Sequence, residues 1–489
     1  MGKNLNLLFL IFQIIVALFF KLCFLETDIN LFYFSLFILV YSLFFYFSIL
    51  LKDNDSRFNP FLILSFIYSI SFSGSVVNCL IEVLTTGYKW SNILSRFEIH
   101  NYNVFNAIIY SLLFSFFLFL YSQIINNKMR KENFSNNLIY YFNKHKSKIL
   151  TFSILIVFCH IVLIWSGKVS LQGEVILGKN LSNIEVNPLV AIILPISFFP
   201  VFASAFYLRE KRNKLLVIIL LIEFIWYFLW GRRSLLYFFY NCFIGYYFSN
   251  IITFKFLLKK LFPISLSVLA LILFMNIFNY IRLLGGVEKL QELNWENITY
   301  LYEKYNTKDF DIIKKLNQEN RIWRPLTPLG AVAYYENLSN RIYVEKGMGL
   351  EIYNSFLKST PSNFFVKDKN RVYTMEYLLF ELSNGKTHRE NDLGDTLIFE
   401  SFLDFGLLGI LIYPAIIFLL FLLFLFLIHR VKLKLMFFFY ILAMVNSFLT
   451  LTEGGIGVLF LFFRSIVVII PIVLILNSLK PYVIKRKII

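Results

Sequence analysis

The chain alternates long apolar runs with short polar segments along almost its whole length. Many runs reach 18 residues or more, and they lack the apolar–polar alternation of a half-buried strand. A run of about 20 apolar residues is long enough to cross the hydrocarbon core of a bilayer as a helix. The pattern therefore predicts an all-α polytopic membrane protein and argues against a transmembrane barrel, whose strands alternate in hydrophobicity.

The pattern delimits twelve predicted spans and one long connection. Residues 1–281 carry spans one to nine, residues 282–406 form the connection, and residues 407–489 carry spans ten to twelve and a basic tail. The first run has no small-residue cleavage site, so we interpret it as an uncleaved span. The predicted spans are 4–25, 29–51, 60–85, 103–125, 149–165, 188–208, 215–230, 235–254, 261–281, 407–428, 435–451 and 458–479.

Composition and charge place the termini. The chain is 58% hydrophobic, with a mean hydropathy of +0.68, against about 45–50% apolar residues in soluble proteins. With the N-terminus inside, the inner segments hold 23 Lys and Arg residues and the short outer loops hold 6. Short basic loops resist translocation, which predicts that both termini are cytoplasmic. The net charge of +17 is thus a topology signal and not a nucleic-acid signal.

The long connection is predicted to be a folded cap on the outer side of the membrane. Up to residue 397 it carries 16 basic and 16 acidic residues, so it has no net charge. It is rich in aromatic residues and contains helix-like stretches such as LEIYNSFL at 350–357. A loop of this length with this composition favours a partly helical, functional domain over a linker.

Four arginines are candidates for binding an anion. Arg232 and Arg233 occupy a short outer turn in FLWGRRSLLYFFY, where planar guanidinium donors match phosphate oxygens. Arg282 ends span nine, and Arg464 lies inside the last span. Each also has a structural interpretation: snorkelling for the pair, interfacial anchoring for Arg282, and pairing with an acidic residue such as Glu453 for Arg464.

Acidic residues cluster in GKTHRENDLGDTLIFESFLDFGLLG, residues 385–409. Asp395, Glu400 and Asp404 are candidates for a general base or an acceptor of sugar hydroxyls, with His388 as a fourth candidate. Glu400 and Asp404 are four residues apart and share a helix face. Carboxylates near a helix start also favour the helix dipole, and a loop histidine is often simply solvated.

The sequence carries no signature of a disulfide, a metal site or a nucleotide-binding site. The four cysteines lie in apolar runs without metal-binding or disulfide spacing. The chain has no HExxH, GxSxG, P-loop or dinucleotide motif. These patterns predict neither a cofactor nor a metal, and they argue against a nucleotide-driven enzyme or primary pump.

The architecture and three local motifs resemble the O-antigen polymerases (Wzy), the bacterial oligosaccharide repeat-unit polymerases. The motifs are GRRSLL at 231–236, STPSNFFVKDKNRVY at 359–373 and GDTLIFESFLDFGLLG at 394–409. The related O-antigen ligases often carry a His-Asn pair before the last of these segments. Asp395 and Thr396 stand at that place here, with His388 seven residues earlier, so the resemblance favours a polymerase over a ligase.

The resemblance implies an inverting, metal-independent glycosyltransferase at the periplasmic face of the bacterial inner membrane. Its substrates would be undecaprenyl diphosphate-linked repeat units, and a chain-length regulator would be a partner in the same membrane. The arginines would stabilise the departing diphosphate. Trp323, Tyr334 and Tyr335 would stack on sugar faces, unless they form the core of the cap.

Three rival functions remain open. An O-antigen ligase would use the same chemistry on a lipid A core acceptor. A flippase or other secondary transporter fits twelve spans, but the two halves show no paired helix interruptions. A non-catalytic scaffold would leave the arginine turn without a chemical role.

Overall fold

The structure is helical in every element that it describes. All of the described secondary structure is α-helix or 3-10 helix, without a strand. The computed structural model describes residues 2–23, 27–53, 55–86, 90, 100–131, 134–166, 193, 196–210, 213–229, 232–247, 349–359, 397–430, 440–446, 455–457, 459–460, 462–464, 466–467 and 470–471.

The described helices are numbered in chain order. Two 3-10 helices, Asp55–Phe58 and Gly406–Leu408, precede α3 and α12. The α-helices are α1 (Gly2–Cys23), α2 (Asp28–Lys52), α3 (Pro60–Thr86), α4 (Asn101–Lys131), α5 (Phe134–Lys144), α6 (Lys146–Trp165), α7 (Phe198–Glu210), α8 (Lys214–Leu229), α9 (Arg232–Tyr247), α10 (Leu350–Ser359), α11 (Leu397–Phe405), α12 (Gly409–Arg430) and α13 (Gly455–Arg464).

Six helices of the described residues are long and apolar enough to cross a membrane. They are α1, α2, α3, α4, α6 and α12 with the 3-10 turn before it, and they coincide with six predicted spans. The largest difference is at α4, which continues to Lys131 where the predicted span ends at 125. The prediction of a multi-pass helical membrane protein is therefore confirmed.

Five of the other six predicted spans are described in part, and one is not described. Within predicted spans six to eight, the structure describes helices α7, α8 and α9, of 13, 16 and 16 residues. Predicted span 261–281 lies outside the described residues, and the last two are represented by 440–446 and α13. The count of twelve stays a prediction, as does most of the cap.

Small polar side chains join α3 and α4. Ser65 Oγ donates to the Ser115 carbonyl and Ser115 Oγ donates to the Ser65 carbonyl, each at 2.7 Å. The Tyr46 hydroxyl of α2 lies 2.5 Å from Ser65 Oγ. In a membrane, small residues let helix backbones approach and hydrogen bonds supply attraction that hydrocarbon cannot. These bonds explain why serines recur within otherwise apolar runs.

A second close approach joins α7 and α9. A Cβ on Gly245 would lie 2.6 Å from the Phe202 carbonyl oxygen, so glycine is required there for the helices to touch. Farther along the chain, Asn241 Nδ2 donates to Asn446 Oδ1 at 2.7 Å. This bond ties α9, which begins at the arginine pair, to the C-terminal part of the bundle.

Asn59 caps α3 and also holds α4. Its Oδ1 accepts from the backbone N–H groups of Phe61 and Leu62, at 3.1 and 3.2 Å. Its Nδ2 donates to the Ser122 carbonyl and to Asn126 Oδ1, at 2.7 and 2.8 Å. We expect Asn59→Ala to lower the free energy of unfolding by about 2 kcal/mol, from the lost cap and two interhelical bonds.

Thermal unfolding in detergent micelles would measure this effect. Thr27→Ala is the matched control, because exposed Thr27 caps α2 through one local bond from Asn30 N. The control should lose about 1 kcal/mol or less. Equal losses from both variants would show that the bonds to α4 contribute nothing.

Candidate functional site

The short helix α11 carries the predicted acidic cluster into the helix bundle. Its residues Leu397 and Phe402 are buried, and Phe402 contacts the Tyr110 ring of α4 with centroids 5.0 Å apart. The Leu397 N–H donates to the hydroxyl of Tyr68 at 3.2 Å. Tyr68 lies eight residues into α3, about 12 Å from its start. The sequence assigned these residues to the end of the cap, but α11 packs among spanning helices.

Two glycines make the turn from α11 into α12. Gly406 has a φ of +60°, which L side chains rarely adopt. A Cβ on Gly409 would lie 1.9 Å from the Ser401 carbonyl oxygen. The turn brings the Tyr413 hydroxyl onto Asp404 Oδ2 at 2.8 Å. Backbone geometry therefore requires glycine at 406 and at 409.

Glu400 and Asp404 share a buried face of α11, as their spacing predicted. Their exposed fractions are 2% and 0%. Asp404 accepts from the backbone N–H groups of Glu351 and Ile352, at 2.9 and 3.2 Å. Glu400 accepts from the Ile456 N–H at 2.6 Å. Each carboxylate thus caps the N-terminus of another helix, where negative charge is favoured by the dipole.

The two capped helices, α10 and α13, run side by side in the same direction. A Cβ on Gly457 would lie 3.6 Å from Ser355 Oγ. The rings of Phe356 and Phe460 are 5.6 Å apart. Residue numbers therefore increase in the same direction along both helices, away from α11. Glu351, in the first turn of α10, is also buried. Because its backbone N–H bonds Asp404, the three acidic residues Glu351, Glu400 and Asp404 lie close together.

Arg464 lies at the C-terminal end of α10. Its Nη1 donates to the Ser359 carbonyl at 2.9 Å, and the side chain is half-buried. Its Nε is buried without a hydrogen-bond partner among the described residues, and no ion pair of Arg464 is found there. Glu453, the structural partner considered from the sequence, lies outside the described residues. A half-buried guanidinium with a buried, spare N–H is suited to an anionic ligand.

The spacing along α13 separates the positive and negative groups. Arg464 follows Ile456 by eight residues, which is about 12 Å along an α-helix. The guanidinium and the Glu400 carboxylate would therefore contact different parts of an extended ligand. Within the described part of the chain, no group of three His, Cys, Asp or Glu side chains is arranged to hold a metal.

Arg232 and Arg233 are the first two residues of α9. The preceding helix, α8, is described as far as Leu229. The first turn of α9 contains no acidic residue. Cations at the positive end of a helix dipole are unfavourable unless an anion is nearby. The side chains of both arginines lie outside those that the structure describes.

Several predicted site residues fall outside the described part of the chain. They are Arg282, Trp323, Tyr334, Tyr335, His388 and Asp395, and their roles stay predictions.

Sequence reasoning missed several residues that the structure places in polar clusters. Glu351 was passed over although its stretch had been recognised as helical. Tyr68 and Tyr413, which bond the two ends of α11, gave no signal within apolar runs. His160 and Glu223 were also missed, although an ionisable residue inside a predicted span is itself a signal of function.

Comparison of the chain with protein-family models, with curated proteins and with solved structures finds no significant match in any of the three.

Proposed function

We propose that the protein is a membrane glycosyltransferase that polymerises undecaprenyl diphosphate-linked repeat units into O-antigen or a related surface polysaccharide. The observation that carries the proposal is the buried Arg464 Nε, which has no described acceptor in a helix bundle that also buries three carboxylates. Charged groups inside a membrane bundle mark substrate sites more often than they stabilise the fold. A lipid-linked diphosphate would supply the missing acceptor.

The reaction needs negative charge to be stabilised where diphosphate departs. The bond between the anomeric carbon and the diphosphate oxygen breaks, and a bond to the acceptor sugar oxygen forms. Arginine stabilises the departing oxygens without a metal, through donors held in place before the reaction. Arg464 would act in this way with its spare N–H, and Arg232 and Arg233 would add charge at the N-terminus of α9.

The proton of the acceptor hydroxyl must pass to a base. Asp404 accepts two backbone bonds and one from Tyr413, and these three donors hold the carboxylate in place and occupy both of its oxygens. This geometry favours a positioning role for Asp404. Glu400, Asp395 and His388 remain candidates for the base, and buried Glu351 joins them.

The proposal predicts the phenotype of a strain that lacks the gene. The lipopolysaccharide core should carry a single repeat unit with no ladder, and the restored gene should return the ladder. A core with no repeat would contradict the proposal. Polymer held on its lipid carrier at the outer face would then indicate a ligase, and repeats trapped at the inner face would indicate a flippase.

The same strain tests the arginine pair. We expect Arg232→Ala and Arg233→Ala each to abolish the ladder, because removing a preorganised donor reduces transfer by about 10²–10³-fold. Immunoblotting of membranes should show that both variants accumulate as the wild type does. Normal ladders from both variants would exclude a diphosphate clamp at the start of α9.

A further inference from the structure

A second buried polar cluster lies away from α11, on helices α6 and α8 and just before α7. His160 Nδ1 lies 2.7 Å from Glu223 Oε1, and both side chains are fully buried. His160 Nε2 lies 3.1 Å from Ser197 Oγ. The indole of Trp226 stacks on the His160 ring with centroids 4.0 Å apart and planes 10° apart.

The hydrogen bonds of the cluster suit either of two proton counts. With one proton fewer, His160 Nδ1–H donates to ionised Glu223, and the Ser197 hydroxyl donates to Nε2. With one proton more, Nε2–H donates to Ser197 Oγ, whose own hydrogen donates to the Ile193 carbonyl at 3.1 Å. The added proton is the one on Nε2, because a proton lies between Nδ1 and Glu223 Oε1 in both states. The Ser197 hydroxyl has an acceptor in both states, so it can bond the imidazole either as a donor or as an acceptor.

The surroundings of His160 and Glu223 disfavour the state with one proton fewer, in which Glu223 is ionised and His160 is neutral. Glu223 Oε2 is buried and has no hydrogen-bond partner among the described residues. No Lys or Arg in that part of the chain forms an ion pair with Glu223. Of the described titratable groups, Tyr227 on α8 interacts electrostatically with Glu223, and Cys242 on α9 interacts with Tyr227. Neither supplies a positive charge.

We propose that His160 and Glu223 form a proton-binding site that takes up and releases one proton, with Ser197 as the hydrogen-bond partner of the imidazole in both states. Proton release leaves one uncompensated negative charge in an apolar bundle. Such a charge is strongly unfavourable without water or a cation. Release must therefore accompany an opening of α6 and α8 that hydrates Glu223. The site would couple the conformation of this bundle to the proton gradient, whatever reaction the chain carries out.

The same three side chains have the connectivity of a nucleophilic triad, but their surroundings argue against that role. Ser197 is 1% exposed, and its hydroxyl is already bonded to a helical carbonyl and an imidazole. A serine nucleophile needs an open face toward its substrate. Labelling of Ser197 by a fluorophosphonate probe would therefore overturn the proton-site proposal.

Trp226 offers an optical test in the full-length protein reconstituted in lipid nanodiscs. A protonated imidazole quenches a stacked indole, so the Trp226 emission should fall in one step as the pH of the sample is lowered. The Trp226 signal is obtained by subtracting the emission of Trp226→Phe. His160→Gln and Glu223→Gln should each abolish the step. Ser197→Ala should shift its midpoint, because it removes the hydrogen bond to His160 Nε2.

His145→Gln is the matched control. His145 lies between α5 and α6 and its ring contacts Tyr141 in a tilted arrangement, outside the cluster, so this variant should keep the step unchanged. A step that persists in Glu223→Gln, or that vanishes in His145→Gln, would overturn the proposal.

A second measurement leaves the cluster unaltered, in case its variants do not fold. In a chain with the other four histidines replaced by Gln, ¹⁵N NMR would follow the His160 ring alone. The proposal requires a change in the protonation of Nε2 over the pH range of the emission step. A single unchanged tautomer throughout would contradict it.

Discussion

Replacing Arg464 with Gln is expected to abolish polymer formation. Glutamine keeps a donor for the Ser359 carbonyl, which Arg464 Nη1 holds at 2.9 Å, but it removes the charge and the buried Nε–H. If that N–H stabilises the departing diphosphate, the loss should reduce transfer by about 10²–10³-fold. The measurement is the lipopolysaccharide ladder of the complemented deletion strain, normalised to the amount of protein in the membrane.

Two further variants separate the charge from the fold. Arg464→Lys keeps the charge without the fork of donors, so it should restore partial activity at most. Arg130→Gln is the control for losing an arginine elsewhere, because Arg130 is half-exposed and pairs with Asp53. It should leave the ladder unchanged, since surface ion pairs contribute little. A full ladder from Arg464→Gln would remove the support for a diphosphate at this position.

The second large effect is expected at Gly455, where α13 begins. Gly455 has a φ of +57°, and a Cβ there would lie 1.9 Å from Glu400 Oε1. Gly455→Ala should therefore displace the Glu400 carboxylate and break its bond to the Ile456 N–H. Backbone strain and the lost buried bond together should lower the free energy of unfolding by about 2–5 kcal/mol. Thermal unfolding in detergent measures this loss.

The chain offers a matched control two residues later. A Cβ on Gly457 would meet Ser355 Oγ at 3.6 Å, an ordinary contact, so Gly457→Ala should be nearly neutral. The double variant Glu400→Ala/Gly455→Ala tests whether the loss comes from the clash between the new Cβ and the Glu400 carboxylate. If that clash dominates, the double variant should be no less stable than Glu400→Ala alone. Gly455→Ala as stable as Gly457→Ala would show that Glu400 does not cap α13.

The sequence anticipated the features that are properties of a local stretch of chain. Six spans were placed within a few residues over most of their ends, because a membrane crossing requires a continuous apolar run. The shared face of Glu400 and Asp404 followed from their spacing of four residues. The helical character of LEIYNSFL was likewise local, and it reappears as α10.

Partner choice was not predictable in the same way. Asp404 bonds a helix start 53 residues away, and Glu400 bonds one 56 residues away. His160 and Glu223 are 63 residues apart. Arg464 was considered as a partner for nearby Glu453, but its bond goes to the Ser359 carbonyl, 105 residues away. None of these separations is marked by a motif.

The sequence by itself determined that this is a multi-pass helical membrane protein with acidic and basic groups inside its apolar segments. The tertiary structure alone decided which helices those groups join, and that α11 packs among the spanning helices. The physical reason is that lipid and protein interior are similarly apolar, so hydropathy does not distinguish lipid-facing from helix-facing residues. Packing of small residues and satisfaction of buried polar groups make that choice.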